Sequence, residues 1–288
     1  MKLVSYNIQY GKGKDGKVDI DRIIGEIDGA DIVALQEIDR YWPRTDFADQ
    51  LQQLTAAKSE FYWVFGAGVD LHPFRSNLED KGARSQFGNL ILSRYPISST
   101  RHYLLPKYGS VNSVSIQRSV IEATIRCPGK AIRVYSLHLT HLSAQTRLPQ
   151  IDKLLAIHRD AVMQGHPVSG DLRGMDWEDG VDDQRVPAEA IIMGDFNCPP
   201  DTEEYMKMVG PVSDYGGHIT NPAGFVDAWT HCGHDKHAGI TSDVRGVPAR
   251  LDYCFVSSSI RNKLSSCHVD ELAQGSDHQP LWTEIDLS

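Results

Sequence analysis

The sequence predicts a layered α/β protein with mixed or antiparallel sheets. Short β-rich runs outnumber helical ones, and the helices do not alternate regularly with strands as a doubly wound sheet requires. Strands are read at 3–8, 32–38, 61–65, 89–93, 120–125, 132–139, 190–193, 251–256, 264–269 and 280–285, from β-branched and aromatic residues bounded by turn formers. A helix is read at 19–27, where Ile20, Ile23, Ile24 and Ile27 recur at helical spacing. A longer one is read at 143–163, with Leu148, Ile151, Leu154, Leu155 and Val162 on one face and Ser143 as N-cap.

The chain has 288 residues, enough to bury a large core without covalent staples. No repeat or interdomain linker interrupts it, so a single domain over 1–288 is expected. Its 29 basic and 38 acidic residues give a net charge of −9. Nucleic-acid binding rests on neutralising phosphates with Lys and Arg, so this balance weighs against a general DNA-binding role. The five cysteines form no CxxC pair, which suggests neither a disulfide framework nor a thiolate zinc site. No secretory leader or membrane-length apolar run is read, and a cytoplasmic location is expected. Residues 165–186 form an insertion rich in Gly and acid. The plain reading is a solvated loop; the sharper one is a lid or a partner-binding element.

Polar residues recur where strands should end: Asn7, Glu37, His138, Asp195 with Asn197, Asp252, and Asp277 with His278. A carboxylate or imidazole in an apolar strand is costly unless paired or bound to metal. Strand ends meeting at one sheet edge would gather these groups into a pocket. Glu37, Asp195 and Asp277 supply carboxylates, while Asn7 and Asn197 supply neutral amides, a set that suits Mg²⁺ or Mn²⁺ better than zinc. Singly, each residue reads as readily as a turn former or a solvated edge. Their order along the chain makes them informative.

That order resembles the endonuclease/exonuclease/phosphatase superfamily. The matching segments are SYNIQ at Asn7, LQEID at Glu37, GNLILSRYPI from Gly88, QRS at Arg118 and SLHL at His138. The Arg147/Gln150 pair, GDFN at Asp195, RLDYCFVS at Asp252 and GSDHQP at Asp277 complete the series. The resemblance implies a four-layer α/β sandwich, two packed mixed β-sheets flanked by helices, with the site at one end. It implies Glu37 as principal metal ligand, with Asn7, Asp277 and Asp195 around it. Asp195 and Asn197 would orient the water and hold phosphate, with either Asp195 or His278 as base. His278 paired with Asp252 would contact the reacting phosphate, as would His138, with Arg118 in support.

Ser136-Leu137-His138-Leu139 stands where base-excision nucleases of the superfamily carry Tyr-x-Pro-Asn. It looks more like the sphingomyelinase, inositol-polyphosphate phosphatase and pancreatic-type deoxyribonuclease side. The expected activity is therefore metal-dependent hydrolysis of a small or lipid-derived phosphate ester, by a phosphodiesterase or phosphatase. A nuclease using Arg40, Arg44, Arg75, Arg84 and Lys107 as a basic groove is the alternative, and a catalytically silent binding protein the second. Arg40 and Arg44, beside Trp42, are candidate phosphate contacts. His72, Lys81 and Arg84 share that ambiguity, and His231, Cys232, His234 and His237 read as a polar loop rather than a second metal centre.

Overall fold

The computed structural model describes residues 1–73, 81–181, 183–243 and 246–288; Arg75 and Asp182 lie outside them. Strands β1 (Lys2–Asn7), β2 (Ile32–Arg40), β3 (Tyr62–Leu71), β4 (Ser85–Ser93), β11 (Leu264–Val269) and β12 (Leu281–Ile285) form one sheet, in the order β11-β12-β1-β2-β4-β3. The second contains β5 (Ile97–Leu104), β6 (Ser119–Arg126), β7 (Ala131–His138), β8 (Ala190–Asp195), β9 (Phe225–Asp227) and β10 (Asp252–Ser257), in the order β5-β6-β7-β8-β10-β9. Both sheets are mixed. β1 runs parallel to β2 and β7 parallel to β8, and the other pairs are antiparallel.

Alternating side chains place apolar groups on both faces of each sheet. Leu3, Ile32 and Ala34 pack inward against Ile121, Val134, Ile191 and Cys254 of the other sheet. Val4, Val33 and Leu35 face outward against Ile20 and Ile23 of α1 (Ile20–Glu26) and Leu54 of α2 (Gln50–Ala57). On the far side Leu137, Ile192 and Phe255 meet Ile151 and Leu154 of α3 (Ala144–Gln164) and Met208 of α4 (Glu203–Val209). The result is the four-layer sandwich expected from the resemblance. A short α5 (Ala228–His231) completes the helices among the described residues.

Local signals explain the element ends. The Asp19 carboxylate accepts from the Arg22 backbone N–H at 3.2 Å and caps α1. Ser143 N–H donates to the Thr146 hydroxyl at 3.2 Å at the start of α3. The strands not read from sequence are β5, an edge whose residues 98–102 are all polar, and β9, only three residues long. Of the helices, α2, α4 and α5 were not read; all are short.

The 21-residue α3 starts beside the His138 end of β7 and carries the chain about 30 Å away before the 165–186 insertion begins. The chain returns along β8, whose far end carries Asp195. Both roots of the insertion therefore sit toward the end of the sandwich away from the site. Asp171 pairs with Arg173 and Asp183 with Arg185 on an exposed surface.

Candidate active site

The C-terminal ends of the parallel pairs β1/β2 and β7/β8 meet at one end of the sandwich, which brings Asn7, Glu37, His138 and Asp195 together. β10 runs antiparallel to β8 and starts at Asp252, directly opposite Asp195. The 276–278 turn precedes β12, and Ser276 Oγ donates to the Asn7 carbonyl at 2.7 Å. Residues from the two ends of the chain, such as Asn7 and Ser276 at a separation of 269, thus converge because two sheets end at the same level.

Two backbone devices set the side-chain positions. β2 bulges between Leu35 and Ile38, and Glu37 within that bulge has φ 65°. Such a conformation costs a non-glycine residue on the order of 1–2 kcal/mol, and strain of this kind gathers at functional sites. In β8, Gly194 passes so close to β7 that a Cβ would lie 2.0 Å from the Leu137 carbonyl oxygen. Asp195 follows, its backbone carbonyl held by Leu139 N–H at 2.8 Å and its Oδ1 accepting from Asn197 N–H at 2.8 Å. Asn197 itself has φ 51°.

Asp195 Oδ2 is the centre of the constellation. Asn7 Nδ2 lies 3.0 Å from it, His138 Nε2 3.2 Å, Asn197 Nδ2 3.3 Å and His278 Nε2 3.8 Å. Burial alone would raise the Asp195 carboxyl, but the two imidazoles hold it well below the usual range. His278 Nδ1 lies 2.7 Å from Asp252 Oδ2. Burial works against the charged ring, yet Asp252 and Asp195 together push it up to about 10. Burial also raises the Asp252 carboxyl against the pull of His278. The proton of the pair belongs on the ring, because the ring faces two carboxylates and Asp252 faces one imidazolium. His138 Nδ1 is 2.9 Å from Arg118 Nη1 and 3.7 Å from Glu37 Oε1. Arg118 is wholly buried, which lowers its pKa although Glu37 and Asp195 oppose the effect.

The donor set fits a hard divalent cation. Glu37 receives one long hydrogen bond, 3.4 Å from Asn7 Nδ2, and its side chain keeps 19% exposure at the rim. Asp277, held by Gln9 Nε2 at 2.7 Å, is raised by burial; His278 opposes this and Glu37 adds to it. Carboxylates that repel one another at the mouth of a cleft would be relieved by Mg²⁺ or Mn²⁺. Asn7 turns its amide nitrogen to Glu37 and Asp195, while its Oδ1 accepts from Gln9 N–H at 3.1 Å. Asp195, Asp252 and His278 also offer atoms within 4.8 Å of one another, but the 2.7 Å contact between His278 and Asp252 already occupies one ring nitrogen.

Other candidates fall outside this cluster or at its edge. Arg40 is taken up by Asp49 at 2.7 Å and by Gln86 Oε1 at 2.7 Å, so its guanidinium is a loop staple rather than a free phosphate contact. Arg44 chelates the buried Asp39 at 2.7 Å, lies 4.3 Å from the Tyr10 ring and feels the charge of Glu37. Arg84 pairs with Asp70 at 2.6 Å. The His231 to His237 segment is dispersed: His234 stacks on Trp229 and bonds the Cys267 carbonyl at 2.7 Å, and His237 meets Asp201. Gln9 and Tyr10, with φ 43° and 46°, were not singled out from sequence; nothing in SYNIQ distinguishes Gln9 from a solvated loop residue.

A strained carboxylate at the rim of a buried Asp–His–Asn cluster, on this sandwich, defines a recognisable class. Residues 4–278 match the Endonuclease/Exonuclease/phosphatase family, and the chain belongs to it. The fold is shared with an endonuclease/exonuclease/phosphatase from Beutenbergia cavernae, at TM-score 0.64 and 20% identity, covering 98% of this chain and 70% of that one. A mannosyl-6-phosphatase from Bacteroides thetaiotaomicron gives TM-score 0.64 and 16% identity, covering 99% of both chains. The human Nocturnin catalytic domain with bound sulfate gives 0.61 and 17%, covering 99% and 93%. At these identities the likeness speaks to fold. No curated protein matches by sequence.

Proposed function

We propose that this chain is a divalent-metal-dependent hydrolase of phosphate esters, a phosphodiesterase or phosphatase acting on a small or lipid-derived substrate. The supporting observation is the convergence of four side-chain nitrogens within 3.8 Å of Asp195 Oδ2, with Glu37 and Asp277 at the rim of the same cleft. Those nitrogens are the donors a phosphoryl group requires as negative charge builds on its oxygens.

Glu37 and Asp277, with Asp195 nearby, would hold Mg²⁺ or Mn²⁺, which when bound polarises the phosphate and offsets charge on the leaving oxygen. The chain's own residues do the rest. Asp195, ionised, orients the attacking water and accepts its proton. His278, kept charged by Asp252, donates to a phosphoryl oxygen and is therefore the stabiliser rather than the base. Asn197 and Asn7 donate neutral N–H groups to the same phosphoryl group. Arg118 acts through His138, fixing the ring from behind at 2.9 Å.

A nuclease groove has less support. Of the five basic residues it would use, Arg40, Arg44 and Arg84 are each paired with a carboxylate, and Arg75 lies outside the described residues. Five free cysteines fit a reducing cytoplasm, and no helix among the described residues is long and apolar enough to cross a membrane. Hydrolysis of bis-p-nitrophenyl phosphate and p-nitrophenyl phosphate with Mg²⁺, Mn²⁺ or chelator tests the reading. Turnover indifferent to chelator would sink it.

A further inference from the structure

The turn that follows β1 has an uncommon bend. Gln9 and Tyr10 are consecutive left-handed residues, with φ 43° and 46°, inside the 3-10 turn Gln9–Gly11. Non-glycine residues keep that conformation only where their surroundings fix it. Here Gln50, wholly buried at the start of α2, donates from Nε2 to the Tyr10 carbonyl at 2.7 Å, and its Oε1 accepts from Asp39 N–H at 3.0 Å. Ile8 N–H donates to the Gln36 carbonyl at 3.1 Å. The turn is thus fastened to β2 on both sides of Glu37, in the bulge.

The bend directs two donors of one residue at two residues of the site. Gln9 backbone N–H donates to Asn7 Oδ1 at 3.1 Å, which leaves Asn7 Nδ2 facing Glu37 and Asp195. Gln9 Nε2 donates to Asp277 Oδ2 at 2.7 Å across a separation of 268 residues. The other carboxylate oxygen of Asp277 meets only a longer contact, 3.3 Å from Ser276 Oγ. Both Gln9 and Asp277 are half-buried, at the mouth of the cleft.

We propose that Gln9 is a positioning residue for cation binding: its side-chain amide holds Asp277 ready, with Glu37, to take a divalent ion. The proposal rests on the metal-dependent reading of the site and assigns the group that makes Asp277 part of it. A free carboxylate at a cleft mouth samples several rotamers and must be ordered when the ion arrives; a charge-assisted hydrogen bond orders it beforehand. Partners behind a metal ligand set its orientation in this way. A neutral amide suits the place. A lysine there would neutralise the carboxylate, and a third acid beside Glu37 and Asp277 would add repulsion before the ion binds.

The test uses the full-length protein with Mn²⁺ alone, its affinity read by calorimetry and the fold by the urea midpoint. Gln9→Met keeps the length of the side chain and the backbone N–H but removes the donor. Its Mn²⁺ affinity should fall by roughly 10- to 100-fold with the urea midpoint near that of wild type, and the Mg²⁺ needed for half-maximal turnover of bis-p-nitrophenyl phosphate should rise to match. In an Asp277→Ala background, Gln9→Met should weaken Mn²⁺ binding no further, because the amide acts through that carboxylate. An affinity within about twofold of wild type overturns the proposal, as does an equal loss with Asp277 absent. A urea midpoint that falls along with the affinity also overturns it, making Gln9 a latch between two turns. Mn²⁺ binding lost in Glu37→Ala but kept in Gln9→Met removes Gln9 alone; a wild type that binds no Mn²⁺ sinks the metal reading and the proposal together.

Discussion

Replacing Asp252 with Asn removes the carboxylate that holds the His278 ring while keeping its shape. In the folded protein the ring rises from 6.5 to about 10, a difference worth about 5 kcal/mol in favour of the charged form. Asp252 makes the 2.7 Å contact and Asp195 sits at 3.8 Å, so Asp252 supplies the larger share. Asp195 remains in the variant, and the ring should therefore fall by at least roughly 1.5 pH units rather than return to 6.5. The active form is the imidazolium, so activity is lost as pH rises through its pKa. In a kcat/KM profile on bis-p-nitrophenyl phosphate with saturating Mg²⁺, the basic limb should move to lower pH. At pH 7.5, kcat should drop by more than about tenfold, because the ring loses the carboxylate that orients it toward the phosphoryl oxygen. A basic limb that does not move, with kcat within tenfold of wild type, would refute the roles given to this pair.

Three further outcomes are expected. His158 is pushed down to about 4 by burial, with Arg133 adding to the effect. The unfolded chain takes up that proton first, so stability present above pH 6.5 falls as pH drops toward 4, by about 3 kcal/mol from this group. His158→Asn keeps an acceptor for Arg133 and should lose about that much less between pH 7.5 and pH 4 in urea titrations; an equal loss would count against it. Gly194→Ala forces a Cβ against the Leu137 carbonyl and should destabilise by about 3 kcal/mol in urea while displacing Asp195, so unchanged stability and turnover would contradict the close approach. Arg44→Ala leaves the buried Asp39 carboxylate unpaired and should destabilise by about 3 kcal/mol in urea titrations, whereas Arg40→Ala, whose partner Asp49 is less buried, should cost about 1 kcal/mol. The reverse order would exchange their roles.

Most strands were legible because both faces of each sheet are buried, so strand residues read as nearly unbroken apolar runs. Leu264–Val269 matches its predicted bounds, β3 runs on to Leu71 where the reading ended at 65, β4 begins at Ser85 rather than 89, and the others differ by one or two residues at the ends. β5 escaped because an edge strand can carry polar residues on both faces, here 98–102 without a break, which removes the alternation. The site was legible as an ordered series of polar strand ends, with Asn7, Glu37, His138, Asp195, Asn197, Asp252, Asp277 and His278 all brought to one place. Their pairing was less so: Arg118 behind His138, and Gln9 on Asp277, depend on which turn bends where. Arg40 and Arg44 look equivalent in sequence, yet one pairs with Asp49 and the other with the buried Asp39 within reach of the Glu37 charge, a distinction made by a 3-10 turn at Pro43–Thr45. The insertion's distance from the site follows only from the length and direction of α3.

The most direct measurement is Mg²⁺- or Mn²⁺-dependent turnover of bis-p-nitrophenyl phosphate by wild type and Glu37→Ala, with and without chelator. Glu37 makes one long hydrogen bond within the fold, so its removal should leave the urea midpoint nearly unchanged. Turnover that needs the metal and collapses in a Glu37→Ala protein still folded is the expected result. Turnover that survives both chelation and the substitution would contradict the site.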